Sequence, residues 1–150
     1  ADSAQDDFAD FQQGLRATHD ETGRSMNSVV AHSYGNVVLG QAASHHNLDV
    51  DKMMIVGGAG GGDGVRNVSD LGMAPEDVYA VTDEDDFIRV SPYAVHGPQA
   101  IQQHFGLPDR NVLESDAGTG DPMATHGAYW DLRNPARRNL ARIIAGKEPL

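Results

Sequence analysis

Apolar and polar positions along the chain fall into two patterns, short unbroken apolar runs and longer amphipathic stretches. Phe8, Phe11 and Leu15 recur at i, i+3, i+7 in an otherwise polar segment, which predicts a helix over 3–19 closed by Thr22-Gly23. Val29-Val30-Ala31 is apolar without interruption, the pattern of a strand buried on both faces, and marks a strand over 26–32. Residues 34–45, rich in Ala, Gly and Val, read as a slim helix able to lie close to a sheet. Met53-Met54-Ile55-Val56 supplies a second strand, 78–82 a third and 111–115 a fourth. Between them stand a glycine-rich loop over 57–64, expected to be mobile at the rim of a site, and a short helical turn over 68–71 before Pro75. A short helix is expected over 97–105 with Ile101 and Phe105 inward. The last helix is punctuated clearly. Asn134 is its N-cap, Pro135 its first residue and Gly146 its stop, with Ala136, Leu140, Ile143 and Ile144 facing inward.

Strands alternating with helical segments indicate an α/β domain, with a mostly parallel sheet flanked by helices in three α/β/α layers. At 150 residues and 39% hydrophobic content, the chain suits one domain over 1–150. Eleven basic residues against 22 acidic ones give a formal charge of −11, which disfavours general affinity for nucleic acid or anionic membranes. The absence of cysteine excludes disulfides, thiolate metal sites and a cysteine nucleophile. No run approaches the roughly 18 apolar residues of a membrane span, and no signal segment opens the chain. A cytoplasmic protein and an exported one relieved of its signal fit equally.

The chemistry gathers where the first strand ends. Ala31-His32-Ser33-Tyr34-Gly35 lies between that strand and the slim helix, the strand-turn-helix setting of a nucleophile elbow. The usual G-x-S-x-G has alanine at its first position here. A serine hydroxyl needs a base to take its proton and a third group to orient that base. In elbow-type enzymes these follow in the order serine, acid, histidine, at the carboxyl ends of strands.

Asp83-Glu84-Asp85-Asp86 follows the third strand directly, where ligands of open parallel sheets bind. Asp86 is the first choice of acid because Phe87-Ile88 anchors it; Asp83 and Asp85 are close rivals and Asp63 a weaker one. Solvation of the acidic turn is the plain alternative. Of seven histidines, His126 comes after the fourth strand, with Gly127 beside it and Tyr129-Trp130 as an aromatic anchor. His19 lies at the first helix, His45-His46 at a helix C-terminus, and His96 and His104 come too early for the order. His32 points to the other side of the strand and is expected to pack or hydrogen-bond beneath the elbow.

The Tyr34 backbone N–H, directly after Ser33, is one expected oxyanion donor. No His-Gly-Gly-type segment upstream offers a second. The glycine loop lacks Gly-Lys-Ser/Thr, and the histidines lack H-E-x-x-H spacing, so neither a phosphate loop nor a metal site is expected. Tyr34, Phe87, Tyr93 and Trp130 are candidates for an apolar pocket as well as for core packing.

His32-Ser33-Tyr34-Gly35, Ile55-Val56-Gly57-Gly58-Ala59-Gly60, Asp86-Phe87-Ile88, His96-Gly97-Pro98 and His126-Gly127-Ala128-Tyr129-Trp130 together resemble the α/β-hydrolase fold. More narrowly, they resemble the C-terminal half of a bacterial α/β-hydrolase domain family of unassigned function. The resemblance implies a nucleophile at Ser33, an acid at Asp86 and a base at His126, acting without a cofactor on an ester or related acyl bond of a small-molecule substrate. Amide or peptide hydrolysis would use the same groups. The family fold has several strands before the nucleophile, where this chain has room for one helix. The remaining strands are therefore expected from a separate chain, an N-terminal segment or a partner subunit, which would also cover an otherwise unpaired sheet edge. The alternative is a catalytically silent binding or assembly module that keeps the fold.

Overall fold

The computed structural model describes residues 2–18 and 23–150. Helix α1 (Asp2–Thr18) precedes strand β1 (Ser28–His32), helix α2 (Gly35–His45) and strand β2 (Lys52–Val56). A 3-10 turn over Val68–Leu71 and another over Pro75–Asp77 lead into strand β3 (Val78–Val81). Short helices α3 (Tyr93–His96) and α4 (Pro122–Thr125), with further 3-10 turns, separate β3 from the last helix, α5 (Pro135–Ile144). Thr22 and His19 of the predicted first-helix closure lie outside the described residues.

The sheet runs in the order β1-β2-β3, and both pairings are parallel. Register aligns Ala31 with Ile55 and Ile55 with Ala80. Because side chains alternate along a strand, Ala31, Met53, Val78 and Ala80 share one face. They form a core with Leu39 and Ala43 of α2, Val68, Leu71 and Phe105. Met54, Val56, Tyr79 and Val81 turn to the opposite face, where Ala136, Leu140 and Ile143 of α5 cover them together with Tyr129. Burial from both sides explains the unbroken apolar runs of β2 and β3, whereas β1, expected to be buried on both faces, lies at the edge of the sheet, buries Ala31 and leaves Val30 exposed. The fold is a small three-stranded parallel sheet with flanking helices.

Helix α5 starts as its sequence dictates, the Asn134 side chain accepting from the Ala136 N–H at 2.9 Å and Pro135 occupying the first turn. Ile144, expected inward, is 50% exposed. Helix α1 also turns differently from its apolar spacing. Ala9 and Gln12 are buried while Phe11 is 64% and Leu15 44% exposed, and only Phe8 of the apolar triplet packs on the core. Polar docking sets this rotation. Gln12 donates to the Asp49 carbonyl at 2.6 Å, and Arg16 reaches the same carbonyl at 3.0 Å and the Asp51 carboxylate at 2.6 Å.

Three expectations are corrected. Residues 111–115 do not form a fourth strand: one bridge joins Val112 to Ala80, with the Leu113 N–H donating to the Ala80 carbonyl at 2.7 Å. Asn111 Nδ2 is instead spent on the carbonyls of Pro75, Glu76 and Val78 at 2.8–3.1 Å, which fixes the segment to the start of β3 and ends the ladder. No helix spans 97–105 either. Helix α3 ends at His96, Gly97 has φ +75, and only Gln103–Phe105 forms a 3-10 turn, although Phe105 is buried as expected. The glycine loop after β2 is packed rather than free. A Cβ on Gly40 of α2 would lie 2.2 Å from the Gly61 carbonyl oxygen, and one on Gly60 2.2 Å from that of His96. Glycine is needed there because backbone meets backbone.

Among the described residues, β1 pairs only with β2, and Val30 is 37% exposed. No described helix is long and apolar enough to cross a membrane.

Candidate active site

Ser33 closes β1 by donating its N–H to the Val56 carbonyl at 3.1 Å, so the end of the strand is held by the ladder. Immediately after, the backbone turns. Ser33 has φ +57, and among the described residues it is the non-glycine residue in the left-handed region. Such a conformation costs a residue with a Cβ about 1–2 kcal/mol, so the surrounding structure must impose it. Asn36 does part of this. Its buried side chain donates to the Ser33 carbonyl at 2.9 Å and to the Val56 carbonyl at 3.1 Å, tying the first turn of α2 to the ends of both strands. Ala31 fits the first elbow position because a Cβ at Gly35 would stand 4.0 Å from its methyl, an ordinary contact.

The carboxyl ends of the strands bring three distant side chains together. The Ser33 hydroxyl lies 2.7 Å from His126 Nε2, and His126 Nδ1 lies 2.9 Å from each oxygen of Asp86. With Nδ1 protonated and donating to Asp86, Nε2 is the acceptor for the Ser33 hydroxyl. The Asp86 side chain is wholly buried, and a buried carboxylate must be paired and hydrogen-bonded. Its Oδ1 accepts the Ile88 N–H at 2.8 Å, and its Oδ2 accepts the Tyr129 hydroxyl. Tyr129 in turn accepts the Asp83 N–H at 3.0 Å. Burial, reinforced by the bond to Asp86, pushes the Tyr129 phenol well above its ordinary value, so it remains a donor.

Two rings hold His126 from its sides. Phe87 lies 4.6 Å from it between ring centroids, and His32 also 4.6 Å. His32 Nε2 donates to the His126 carbonyl at 2.7 Å. The His32 side chain thus lies against the His126 loop rather than beneath the elbow. Burial lowers the His32 pKa below its ordinary 6.5, with the bond to the His126 carbonyl opposing and the His126 ring adding to the shift.

The other candidates lie elsewhere. Asp83 turns its carboxylate to Ser115 Oγ at 2.7 Å and the Ala117 N–H at 3.0 Å, holding the loop that leads to His126. Asp85 and Asp63 are exposed. His45 contacts Gln5 at 3.2 Å and His46 contacts Asp6 at 2.9 Å, both joining α2 to α1. The His96 ring stands edge-on to Tyr34, with centroids 6.2 Å apart, and His104 is exposed. No group of His, Asp or Glu among the described residues is arranged to hold a metal ion.

Three aromatic rings lie close to these groups: Tyr34 follows Ser33, Phe87 lies on His126, and Trp130 is edge-on to His32 at 5.9 Å. Tyr34 is 53% and Trp130 44% exposed, while the Tyr93 side chain lies outside the described residues. The Tyr34 N–H opens α2 and has no protein acceptor among the described residues, leaving it free for an anion.

Two contributors escape a reading of the sequence. Asn36 was signalled only as a polar residue in a run of Gly, Val and Ala. Tyr129 stood out only as an aromatic neighbour, although its position three residues after His126 was open to inspection.

No curated protein and no solved structure matches the sequence. A family model described as alpha/beta hydrolase matches residues 1–95, a span that includes Ser33 and Asp86 and ends before His126. Together with the parallel sheet and its flanking helices, this match shows that the chain belongs to the alpha/beta hydrolase family.

Proposed function

We propose that the protein is a serine hydrolase that cleaves an ester or related acyl bond through an acyl-enzyme on Ser33. The observation that carries this reading is the continuous hydrogen-bond path from Ser33 Oγ through His126 at 2.7 Å to the buried Asp86 at 2.9 Å. In the first step Ser33 Oγ bonds to the substrate carbonyl carbon while its proton passes to His126 Nε2. Asp86 remains ionised and stabilises the imidazolium that results. The Tyr34 N–H, at the start of α2, donates to the developing oxyanion. Collapse of the tetrahedral intermediate breaks the bond to the leaving alkoxide, which takes the proton from His126. Water then repeats the sequence on the acyl-enzyme, releasing the acid and restoring Ser33.

A neutral small-molecule acyl substrate suits a site flanked by the rings of Tyr34, Phe87 and Trp130 on a chain of formal charge −11. In the same reading, a second oxyanion donor comes from what covers the open edge of β1, whether a separate chain, an N-terminal segment or a partner subunit. The intact mass of the isolated protein distinguishes these sources.

A fluorophosphonate probe tests the core of the reading, since it labels only an activated serine. Labelling mapped to Ser33, absent in Ser33→Ala and in His126→Ala, is the expected result. A folded protein that resists labelling across pH 5–9 would overturn it in favour of the silent binding module.

A further inference from the structure

Resting on that reading, we propose that Tyr129 is a positioning residue of the site, whose hydroxyl holds Asp86 in register with His126 by bridging both ends of the acidic turn. One oxygen does both tasks. It accepts the N–H of Asp83, where the turn begins, and donates to Oδ2 of Asp86, where it ends. The turn Asp83-Glu84-Asp85-Asp86 is thereby closed by a group 43 residues away from Asp86 in sequence. Oδ1 is separately fixed by the Ile88 N–H at 2.8 Å, so rotation of the carboxylate about its own axis is blocked from both sides. The outcome is the symmetric approach of both oxygens to His126 Nδ1, 2.9 Å each.

The body of Tyr129 makes this arrangement stiff. Its ring is fully buried in the core between the sheet and α5, among Met54, Val56, Tyr79, Val81 and Leu140. The end of β2 is shaped to admit it. A Cβ at Gly57 would lie 3.0 Å from Tyr129 Cε2 and 3.2 Å from Asp86 Oδ2, so glycine there leaves room for the phenol and the carboxylate to meet. Tyr129 also lies one turn after His126, so base and clamp travel on one short segment (α4 and the 3-10 turn Ala128–Trp130). A shift of this segment would move both together.

The hydroxyl also sets how strongly Asp86 acts on His126. A donor to a carboxylate spreads its negative charge, so removing the donor concentrates charge on the pair with His126 and makes the imidazole more basic. The ionisable groups facing His126 are Asp86 and Tyr129 from its acid side, His32 from β1, and Ser33; Asp83, whose carbonyl also takes Arg89 Nε at 2.9 Å, stands behind Tyr129. Tyr129→Phe alters only one of these.

The test compares wild type, Tyr129→Phe and Leu140→Ala, the last a core change in the same cluster without contact to Asp86. Each is followed by hydrolysis of a p-nitrophenyl ester over pH 5–9 and by NMR titration of the His126 imidazole. In Tyr129→Phe, kcat falls about 10- to 100-fold with KM within about twofold, as expected when a reacting group is misplaced. The acid limb of kcat/KM and the His126 titration midpoint both move to higher pH. Leu140→Ala moves neither. A Tyr129→Phe protein with wild-type kcat and an unmoved midpoint overturns the proposal, as does a midpoint that moves equally in Leu140→Ala. Were the wild type not to label at Ser33, the hydrolase reading would fall, and the NMR midpoint alone would decide the positioning role. Should Tyr129→Phe not fold, 3-fluorotyrosine at position 129 keeps the hydroxyl as a stronger donor, and its midpoint moves to lower pH; an unmoved midpoint there overturns the proposal.

Discussion

Replacing Ser33 by glycine removes the proposed nucleophile and, relative to alanine at the same position, makes the fold more stable. The reason is the φ of +57 at Ser33. Alanine keeps the Cβ and the conformational cost of about 1–2 kcal/mol, whereas glycine adopts this region freely. Against that gain, glycine loosens the unfolded chain, worth about 0.4–1 kcal/mol in the opposite direction. Both variants lose the bond from the hydroxyl to His126 Nε2, so that loss cancels in the comparison. At the middle of these ranges the balance favours glycine by about 0.8 kcal/mol. For a domain of this size each kcal/mol moves the midpoint by about 2–4 °C, so Ser33→Gly melts roughly 1–4 °C above Ser33→Ala. Thermal unfolding of the two variants side by side, checked in urea, measures the difference, and neither hydrolyses ester. A Ser33→Gly midpoint at or below that of Ser33→Ala would refute the claim that the elbow is held in a strained conformation by its surroundings.

The rival carboxylates separate by substitution. Asp86→Asn lowers kcat on the order of 10⁴-fold, because an amide no longer fixes the His126 tautomer. Asp83→Asn leaves kcat within about tenfold and lowers stability by roughly 1–2 kcal/mol in urea unfolding, since it disturbs the Ser115, Ala117 and Asp85 contacts without touching His126. At the glycine loop, Gly64→Ala costs about 1 kcal/mol, for it has φ +86 but nothing within 4 Å of the new methyl. Gly60→Ala costs several-fold more, its Cβ falling 2.2 Å from the His96 carbonyl; equal losses in the two variants would show that the loop does not pack as described. His32 has a folded pKa below its unfolded value of 6.5, so the unfolded state binds more protons as pH falls. Its contribution is full above about pH 6.5 and declines below it, towards the lowered folded value. His32→Asn flattens that part of the stability profile, and an unchanged slope between pH 5 and 6.5 would count against the half-buried, neutral imidazole.

Much of this arrangement is legible in the sequence where local chemistry decides it. Val29-Val30-Ala31 and Met53-Met54-Ile55-Val56 admit few alternatives to strands, although only the second is largely buried, and Asn134-Pro135 with Gly146 brackets α5 by capping alone. Where long-range polar contacts compete with apolar spacing, the sequence misleads. Phe11 and Leu15 look inward by period, yet the bonds from Gln12 and Arg16 to Asp49 and Asp51 turn α1 the other way. Residues 111–115 have the composition of a strand, but Asn111 is captured by three carbonyls at the start of β3 and allows a single bridge. The glycines after β2 look like freedom in a one-dimensional reading and are a consequence of close packing in three dimensions.

The choice among the acids shows most clearly what lies beyond local pattern. Asp83 and Asp86 are both buried, three residues apart, and both accept hydrogen bonds near the carboxyl end of the sheet. Sequence favours Asp86 only through its apolar successors Phe87 and Ile88. The structure shows what those successors do: the Ile88 N–H caps Oδ1 and the Phe87 ring lies on the face of His126. Asp83 is drawn off by Ser115 and Ala117, while its own N–H is taken by the phenol that also donates to Asp86. Each carboxylate thus stabilises a different segment of the same loop system. One holds the path towards His126 and the other faces the imidazole, and Tyr129 keeps those two positions distinct. Loss of its hydroxyl therefore perturbs the orientation of Asp86 before it unfolds the domain, which is why pH dependence, more than stability, is the informative measurement at this site.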